Sequence, residues 1–205
     1  MKNTIELLGI YGSDLTHAQS AWTSTERELD QKKLNRVPQL LKYLAENKHE
    51  TPFEKSTLHF LVTSEIASHI HMLKHRIGVS INAESARYKE LNDDKYYIPD
   101  DWPEFLRKDY INYMEKAFEK YHEVLAHLEI IGFDRKRAKE SARFYLPYAN
   151  QIKCDITFNF RSFVHFQRLR NDEHAQLEIR EIAQQMLKLV KDHGDFFHTI
   201  NAFNL

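Results

Sequence analysis

Glycine is scarce and scattered in this chain, and that limits the nucleotide-binding folds it can form. The 205 residues contain five glycines, at positions 9, 12, 78, 132 and 194. No two of them have the spacing of a G-x-G-x-x-G dinucleotide turn or of a phosphate-binding P-loop. A nucleotide bound by this protein must therefore be held without those glycine-rich loops.

The composition excludes several other classes of protein. There are 29 Lys and Arg residues against 30 Asp and Glu, a net charge of −1, whereas a dedicated nucleic-acid binder usually has a basic excess. The single cysteine, Cys154, excludes an internal disulfide and a multi-cysteine metal site. No apolar stretch approaches the ~20 residues of a membrane helix, and the N-terminus lacks the apolar run of a signal peptide. We expect one domain over residues 1–205, in the cytoplasm, with no membrane or nucleic-acid partner.

Apolar periodicity predicts a helix-rich α+β fold around a small, largely antiparallel sheet. Strands are predicted at residues 5–10, 57–63 and 152–158. Helices are predicted at residues 14–21, 38–47, 64–73, 103–131, 135–145, 161–169 and 173–193. The segment 23–36 is interpreted as a polar connection and 78–94 as mostly loop. Because strands and helices do not alternate regularly, a doubly wound sheet is disfavoured.

Two of these helices carry more specific expectations. Pro38 is suited to the first position of its helix, where its missing N–H costs nothing. In the longest helix, one register of apolar residues predicts the face that packs on the core. Its members are Phe105, Ile111, Met114, Phe118, Tyr121 and Leu125. Gly132 is expected to end this helix.

A cationic run followed by polar side chains is the first candidate site. Lys74, His75 and Arg76 end a predicted helix. The loop after them carries hydroxyl, amide and guanidinium groups at Ser80, Asn82, Ser85 and Arg87. Such groups together suit a phosphate, because guanidinium binds oxygens bidentately and hydroxyls add donors. Cations also favour any helix C-terminus through the helix dipole, so the run alone leaves both interpretations open.

A second cationic surface is predicted on the helix that follows Asn159-Phe160-Arg161-Ser162. Arg161, His165 and Arg168 share one face of that helix by their spacing. With Phe163 and Phe166 beside it, this face could meet phosphates and bases as part of a nucleic-acid binding module. A solvated helix face has the same pattern. The segment from His49 to Glu54 indicates, by itself, only a turn anchored by a phenylalanine.

In order and spacing, these segments together resemble the flavin-dependent thymidylate synthases. The family signature is Arg-His-Arg, seven residues and Ser; here it is Lys74-His75-Arg76, eight residues and Ser85. The family patterns Asn-x-Arg-Ser and Leu-Arg-x-x-x-His-Ala-Gln stand at residues 159–162 and 169–176. The resemblance extends from about residue 14 to residue 178.

The resemblance implies an α+β homotetramer with active sites between subunits, and a defined reaction. The methylene of 5,10-methylenetetrahydrofolate is transferred to C5 of dUMP. FAD, reduced by NADPH, supplies hydride, and dTMP and tetrahydrofolate leave. Because the cofactor performs the reduction, no enzyme thiolate is needed, and Cys154 is expected to be structural.

The resemblance also implies the site residues. Arg170 is the expected catalytic residue, since a fixed cation against the uracil favours ionisation at N3. The residues expected to contact dUMP are His71, Lys74, Glu84, Ser85, Ala86, Arg87, Arg143 and Arg170. Those expected to contact FAD are Thr51, Glu54, Lys74, His75, Arg76, Ile77, Asn82, Asn159, Arg161, His165 and His174. Thr51 would come from a neighbouring chain, His49 would lie on the folate side, and no metal is expected.

The chain departs from the family pattern at several of these positions. Lys74 replaces a planar bidentate arginine with a point charge. The extra residue before Ser85 shifts the loop, so that the family glutamate corresponds to either Ala83 or Glu84. His71 stands where glutamine is common, and His165 where asparagine is common. A degenerate homologue that binds dUMP without turnover is the alternative that these departures leave open.

Overall fold

The computed structural model describes residues 1–91 and 94–205, and within them the chain forms strands and helices in mixed order. The strands are β1 (Thr4–Tyr11), β2 (Thr57–Glu65), β3 (Val79–Ala83) and β4 (Gln151–Phe158). The helices are α1 (Asp14–Trp22), α2 (Gln31–Glu46), α3 (Ile66–Met72), α4 (Glu104–Ile130), α5 (Arg135–Ala142), α6 (Phe160–Arg170), α7 (Leu177–His193) and α8 (Phe197–Ala202). Short 3₁₀ turns span Thr51–Glu54 and Arg143–Tyr145.

The strands form one small antiparallel sheet in the order β1-β2-β4-β3. In β2, Leu58, Phe60 and Val62 are fully buried while the residues between them are not. This period of two is what a sheet with one face on the core requires. The α+β class and the small antiparallel sheet expected from the sequence are confirmed.

Contacts divide the chain into two compact units. The first comprises Met1–Thr4, Thr63–Ile70 and Asn82–Cys154. Its core forms where α4 packs on α5, through Tyr121 and Leu125 on one helix and Ala138 and Ala142 on the other. Small residues on α5 allow this close packing against the large side chains of α4.

The second unit comprises Ile5–Val62, His71–Ile81 and Asp155–Leu205. Aromatic rings of β2, β4 and α6 form its centre: the ring of Phe163 lies 6.0 Å from that of Phe60 and 5.9 Å from that of Phe158. Helix α7 packs against α6 through one fully buried apolar face. Its members are Ile179, Ile182, Ala183, Met186 and Val190.

The long helix α4 confirms the predicted register except at its start. Met114, Phe118, Tyr121 and Leu125 are buried. Phe105, which was expected to belong to the same stripe, is 70% exposed. It lies in the first turn, before the stripe reaches the packed part of the helix. Gly132 follows the helix with a φ of 97°, the left-handed conformation that ends helices.

Helix α2 begins earlier than the sequence indicated. Its N-cap is Asp30, whose carboxylate accepts a hydrogen bond from the Lys33 N–H, so the second half of the expected polar connection is helical. Pro38 lies inside the helix instead of opening it. Proline removes one backbone hydrogen bond there. Burial of Val37, Leu41 and Leu44 on one face offsets that loss.

Other parts of the secondary structure also differ from the prediction. Ser64 and Glu65 belong to β2, and α3 starts only at Ile66. The segment interpreted as mostly loop contains β3, whose alternation of half-buried and exposed residues is typical of a strand. Part of that segment, residues 92 and 93, lies outside the described residues. Helix α7 starts at Leu177 instead of residue 173, and α8 was not predicted.

A buried histidine joins three segments of the second unit. His17 of α1 is fully buried. Its Nδ1 lies 3.1 Å from the Thr199 hydroxyl of α8, and its Nε2 lies 2.9 Å from the Ser56 hydroxyl. The Asp14 carboxylate accepts hydrogen bonds from the Thr199 hydroxyl and from the His198 and Thr199 N–H groups. Burial lowers the pKa of His17 to about 3, which keeps its imidazole neutral.

We expect His17 to make the protein acid-sensitive. Since its folded-state pKa of about 3 lies below the ordinary 6.5, the unfolded chain binds one more proton between these pH values. The free energy of unfolding then falls as pH falls, by about 1.4 kcal/mol per pH unit at most for this group. In urea unfolding, the free energy of unfolding of His17→Gln should fall less steeply between pH 6.5 and 4 than that of the wild type.

The matched control is His127→Gln, which changes an exposed histidine. Its free energy of unfolding should depend on pH as that of the wild type does. Equal pH dependence of wild type and His17→Gln would show that His17 does not carry this effect.

Candidate active site

The two motif-bearing segments of the second unit meet where the chain after α3 docks on the N-terminus of α6. The Ser162 hydroxyl donates to the Ile77 carbonyl at 2.6 Å, and the Asn159 N–H donates to the Gly78 carbonyl at 2.9 Å. The Asn159 side chain caps α6 by accepting from the Ser162 N–H at 2.8 Å. These bonds fix the Lys74-His75-Arg76 run beside the Asn-x-Arg-Ser motif.

Gly78 makes this docking possible. Its φ is +63°, a backbone conformation that residues other than glycine rarely adopt. A Cβ there would lie 2.2 Å from the Asn159 Nδ2 and 2.4 Å from the Ser162 Oγ. Any side chain at this position would therefore displace the side chains of Asn159 and Ser162 that form the junction.

A cleft of about 360 Å³ lies beside this junction, within the second unit. It is lined by Glu50, Lys74, His75, Arg76, Ile77, Val79, Arg161, Ser162, Val164, His165, Arg168 and Phe203. Six residues expected at the FAD site are thus brought together, namely Lys74, His75, Arg76, Ile77, Arg161 and His165.

Arg161 is the cation of the cleft that carboxylates neutralise. Its Nε lies 2.8 Å from the Glu50 Oε2, and its Nη1 lies 2.6 Å from the Glu54 Oε1. The hydrogen bond with Glu54 is the main reason why the pKa of Arg161 is raised. The guanidinium is thereby held in one orientation, half exposed at the rim of the cleft.

The other cations of the cleft differ from Arg161 in this respect. Lys74, Arg76 and Arg168 are exposed, and none forms an ion pair with any of the residues described by the structure. Cations concentrated in a concave surface attract anions. The cleft is therefore suited to a ligand that carries negative charge.

Arg170 and His75 form a partly buried polar contact beside the cleft. The Arg170 Nε donates to the His75 Nε2 at 3.1 Å, and the Arg170 Nη1 lies 3.4 Å from the His71 Nδ1. Burial, followed by the charges of Arg170 and His165, lowers the pKa of His75 to about 4. A neutral His75 can accept the hydrogen bond, so an imidazole holds the guanidinium of Arg170 without neutralising its charge.

Other residues expected at the FAD and folate sites do not line the cleft. Asn159 contacts Gly78 and Glu54 pairs with Arg161, so both support the cleft without lining it. Thr51 and His49 are exposed outside it. The His174 side chain is 88% exposed and also lies outside the cleft.

The residues expected at dUMP fall in both units. His71, Lys74 and Arg170 belong to the second unit, and Glu84, Ser85, Ala86, Arg87 and Arg143 to the first, as does the FAD candidate Asn82. In the first unit, the Ser85 hydroxyl accepts from the Arg87 N–H at 3.3 Å. The Arg87 Nε donates to the Glu140 Oε1 at 2.9 Å.

The remaining residues of this group differ in their surroundings. Glu84 accepts hydrogen bonds from the Lys89 Nζ and the Lys153 N–H. Ala86 packs against the α4–α5 core, and Arg143 and Asn82 are exposed.

Comparison with known proteins identifies the family. Residues 6–193 match the family model described as thymidylate synthase complementing protein. The chain is 32% identical to the flavin-dependent thymidylate synthase of Thermosipho melanesiensis, covering 99% of this chain and 92% of that protein. The chain belongs to this family of flavin-dependent thymidylate synthases. The corresponding protein of Clostridium tetani is 33% identical over 80% of the chain and 69% of its own length.

A solved structure has the same fold as this synthase family member. The UMP/dUMP methylase PolB of Streptomyces cacaoi, bound with 5-Br dUMP, superposes with a TM-score of 0.82 at 27% identity. The match covers 99% of this chain and 95% of that one.

Several residues that line the cleft of this chain were not predicted as site residues. They are Glu50, Val79, Ser162, Val164, Arg168 and Phe203. Helical spacing already places Arg168 on the cationic face of Arg161 and His165, although the family resemblance assigns it no contact. Phe203 carries no sequence signal, since it follows α8 and reaches the cleft only through the tertiary fold.

The structure also corrects the expected role of two aromatic residues. Phe163 and Phe166 are fully buried, so neither ring can stack on a nucleic-acid base. Cys154 is buried in β4. Over the described parts of the chain, no group of three or more metal-ligating side chains is positioned to hold a metal, and no helix is long and apolar enough to cross a membrane.

We expect Gly78→Ala to disrupt the cleft more than its conformation alone explains. Gly132 also has positive φ, but a Cβ added there would meet no atom within 4 Å. Gly132→Ala therefore measures the conformational cost, about 1–2 kcal/mol. Gly78→Ala should cost about 1–3 kcal/mol more, because it also clashes with Asn159 and Ser162. Urea unfolding measures both, and equal costs would contradict the close approach at Gly78.

Proposed function

We propose that this protein is a flavin-dependent thymidylate synthase, an FAD-dependent methyltransferase that acts on dUMP. The methylene of 5,10-methylenetetrahydrofolate goes to C5 of dUMP, and hydride from FAD, itself reduced by NADPH, completes the methyl group of dTMP. Tetrahydrofolate is the second product. The observation that carries the proposal is the cationic cleft, because the family's motif residues line it and Arg170 borders it.

The donor set of the cleft fits FAD. Lys74 and Arg76, which pair with no carboxylate among the described residues, suit a diphosphate. Apolar contacts to rings are offered by Ile77, Val79, Val164 and Phe203. No glycine-rich loop is required, because the phosphates meet side chains. We therefore propose that Lys74, His75, Arg76, Ile77, Arg161 and His165 contact FAD, supported by Asn159 and Glu54.

A single cleft is small for this cofactor. Ligand sites range from about 300 to 1,000 Å³, and about 360 Å³ lies near the lower end. We propose that a second copy of the chain covers the remainder, within a homotetramer. Thr51, His49, His174 and Asn82 would then complete sites in the assembly, with His49 on the folate side. In this proposal residues 1–205 act as one synthase domain.

For dUMP, we propose contacts with His71, Lys74, Glu84, Ser85, Ala86, Arg87 and Arg143, and a catalytic role for Arg170. Serine hydroxyls and guanidinium groups are suited to the phosphate. Arg170 would lie against the uracil, where its charge stabilises the anion that forms when N3 ionises. A neutral His75 suits this role, since it orients Arg170 by a hydrogen bond without cancelling its charge.

The reductive step does not need a protein nucleophile. When bound, reduced FAD supplies the hydride that converts the transferred methylene to a methyl group. The protein's part is to orient the reactants, to hold their phosphates and to stabilise the charge on the uracil. Cys154, buried in a strand, has no assigned part in this chemistry.

We expect Arg170→Ala to abolish dTMP formation while the protein stays folded. The loss follows from removing the cation that stabilises the uracil anion, and should exceed about 100-fold. Release of tritium from [5-³H]dUMP, with FAD, NADPH and methylenetetrahydrofolate present, measures the reaction. Cys154→Ala is the control and should retain it.

Two results would contradict the proposal. Tritium release by Arg170→Ala at the wild-type rate would remove the catalytic role of Arg170. No release by the wild-type protein, despite dUMP binding, would favour the degenerate homologue.

A further inference from the structure

Arg168 is a cation of the cleft to which neither the family motifs nor the proposed FAD and dUMP contacts assign a role. It lies in the last turn of α6 and lines the cleft. Its guanidinium carbon is 5.7 Å from the centre of the Phe203 ring. In contrast to Arg161, whose donors are engaged by Glu50 and Glu54, Arg168 has no ion pair with a described residue. Its N–H donors are therefore available to a ligand.

Phe203 is held firmly enough to orient this arginine. It is 5% exposed, and its ring lies 4.7 Å from that of Phe53, edge to face. The preceding helix α8 is fixed by the hydrogen bonds of Thr199 to His17 and Asp14. Phe203 thus forms a built wall of the cleft, although it lies beyond residues 6–193, which the family model matches.

The contact between the two side chains has a clear physical consequence. An arginine side chain has many rotamers, and ordering it on binding reduces affinity. An aromatic face attracts a guanidinium and limits those rotamers. The contact with Phe203 therefore favours rotamers that keep Arg168 at the cleft, where its planar fork can bind phosphate oxygens bidentately.

We propose that Arg168 is a further phosphate-binding residue of the cleft and that Phe203 is the residue that positions it. The ligand class is a dinucleotide or nucleotide diphosphate, so this inference rests on the proposed FAD function. Arg168 adds affinity through the phosphates, and Phe203 acts only through Arg168.

Binding measurements on Arg168→Gln test the first part. Calorimetry with FAD and with ADP should give dissociation constants about three- to tenfold weaker than wild type, the effect of one partly exposed cation on a phosphate. Riboflavin, which has no phosphate, should bind unchanged. Arg36→Gln, an exposed arginine of α2 outside the cleft, makes the same charge change and should leave all three affinities as they were.

A double-mutant cycle tests the second part. Phe203→Leu should weaken ADP binding about two- to fourfold, but should have no further effect in the Arg168→Gln protein. Phe203→Tyr, which keeps the ring, should retain wild-type affinity. Phe197→Leu, an exposed residue of α8, is the control for a general effect on that helix. Thermal unfolding verifies that each variant is folded.

The outcomes separate this inference from the proposed function. Unchanged ADP and FAD affinity in Arg168→Gln, or equal weakening of riboflavin, would overturn the phosphate contact even if the wild type forms dTMP. If Phe203→Leu weakens ADP binding equally in the wild-type and Arg168→Gln proteins, the positioning role of Phe203 is overturned. Failure of dTMP formation with intact, Arg168-dependent ADP binding would instead refute the synthase activity and leave the phosphate contact standing.

Discussion

The docking of Ile77 and Gly78 on the N-terminus of α6 is the constraint on which the site depends. Two backbone carbonyls accept from Ser162 and Asn159, and Gly78 leaves no space for a side chain between the segments. This junction brings residues 74–76 next to the helix face of Arg161 and His165, although about 85 residues of sequence separate them. The cleft and its charge follow from that one close approach.

Charge is distributed unevenly around the cleft, and the difference has a functional meaning. Carboxylates of Glu50 and Glu54 fix Arg161, whereas Arg170 is fixed by neutral His75, which leaves its charge uncompensated by that partner. A carboxylate in place of His75 would orient Arg170 equally well but would weaken its effect on an anion. The low pKa of His75 is thus a consequence of its burial beside Arg170 that serves the proposed chemistry.

The sequence predicted those features that local patterns encode. The register of α4 from Met114 to Leu125 and the shared face of Arg161 and His165 both follow from helical spacing. Predictions failed where tertiary contacts decide. Burial on one face carries α2 through Pro38, and pairing in the sheet makes β3 a strand.

The residues that the sequence could not place have no local signature. His17 is recognisable as a buried hub only once Ser56 and Thr199 surround it. Phe203 reaches the cleft because Asp14 and His17 anchor α8, a relation that spans nearly the whole chain. Motif spacing identified much of the cleft, whereas the wall formed by Phe203 required the fold.

Hydrogen–deuterium exchange with and without FAD shows whether this cleft is the flavin site. We expect slower exchange on addition of FAD in residues 74–79 and at the start of α6, which form the junction and line the cleft. The amides of the α4–α5 core should exchange as before. Binding of FAD with no protection at residues 74–79 and 160–168 would contradict the assignment of the cleft to the flavin.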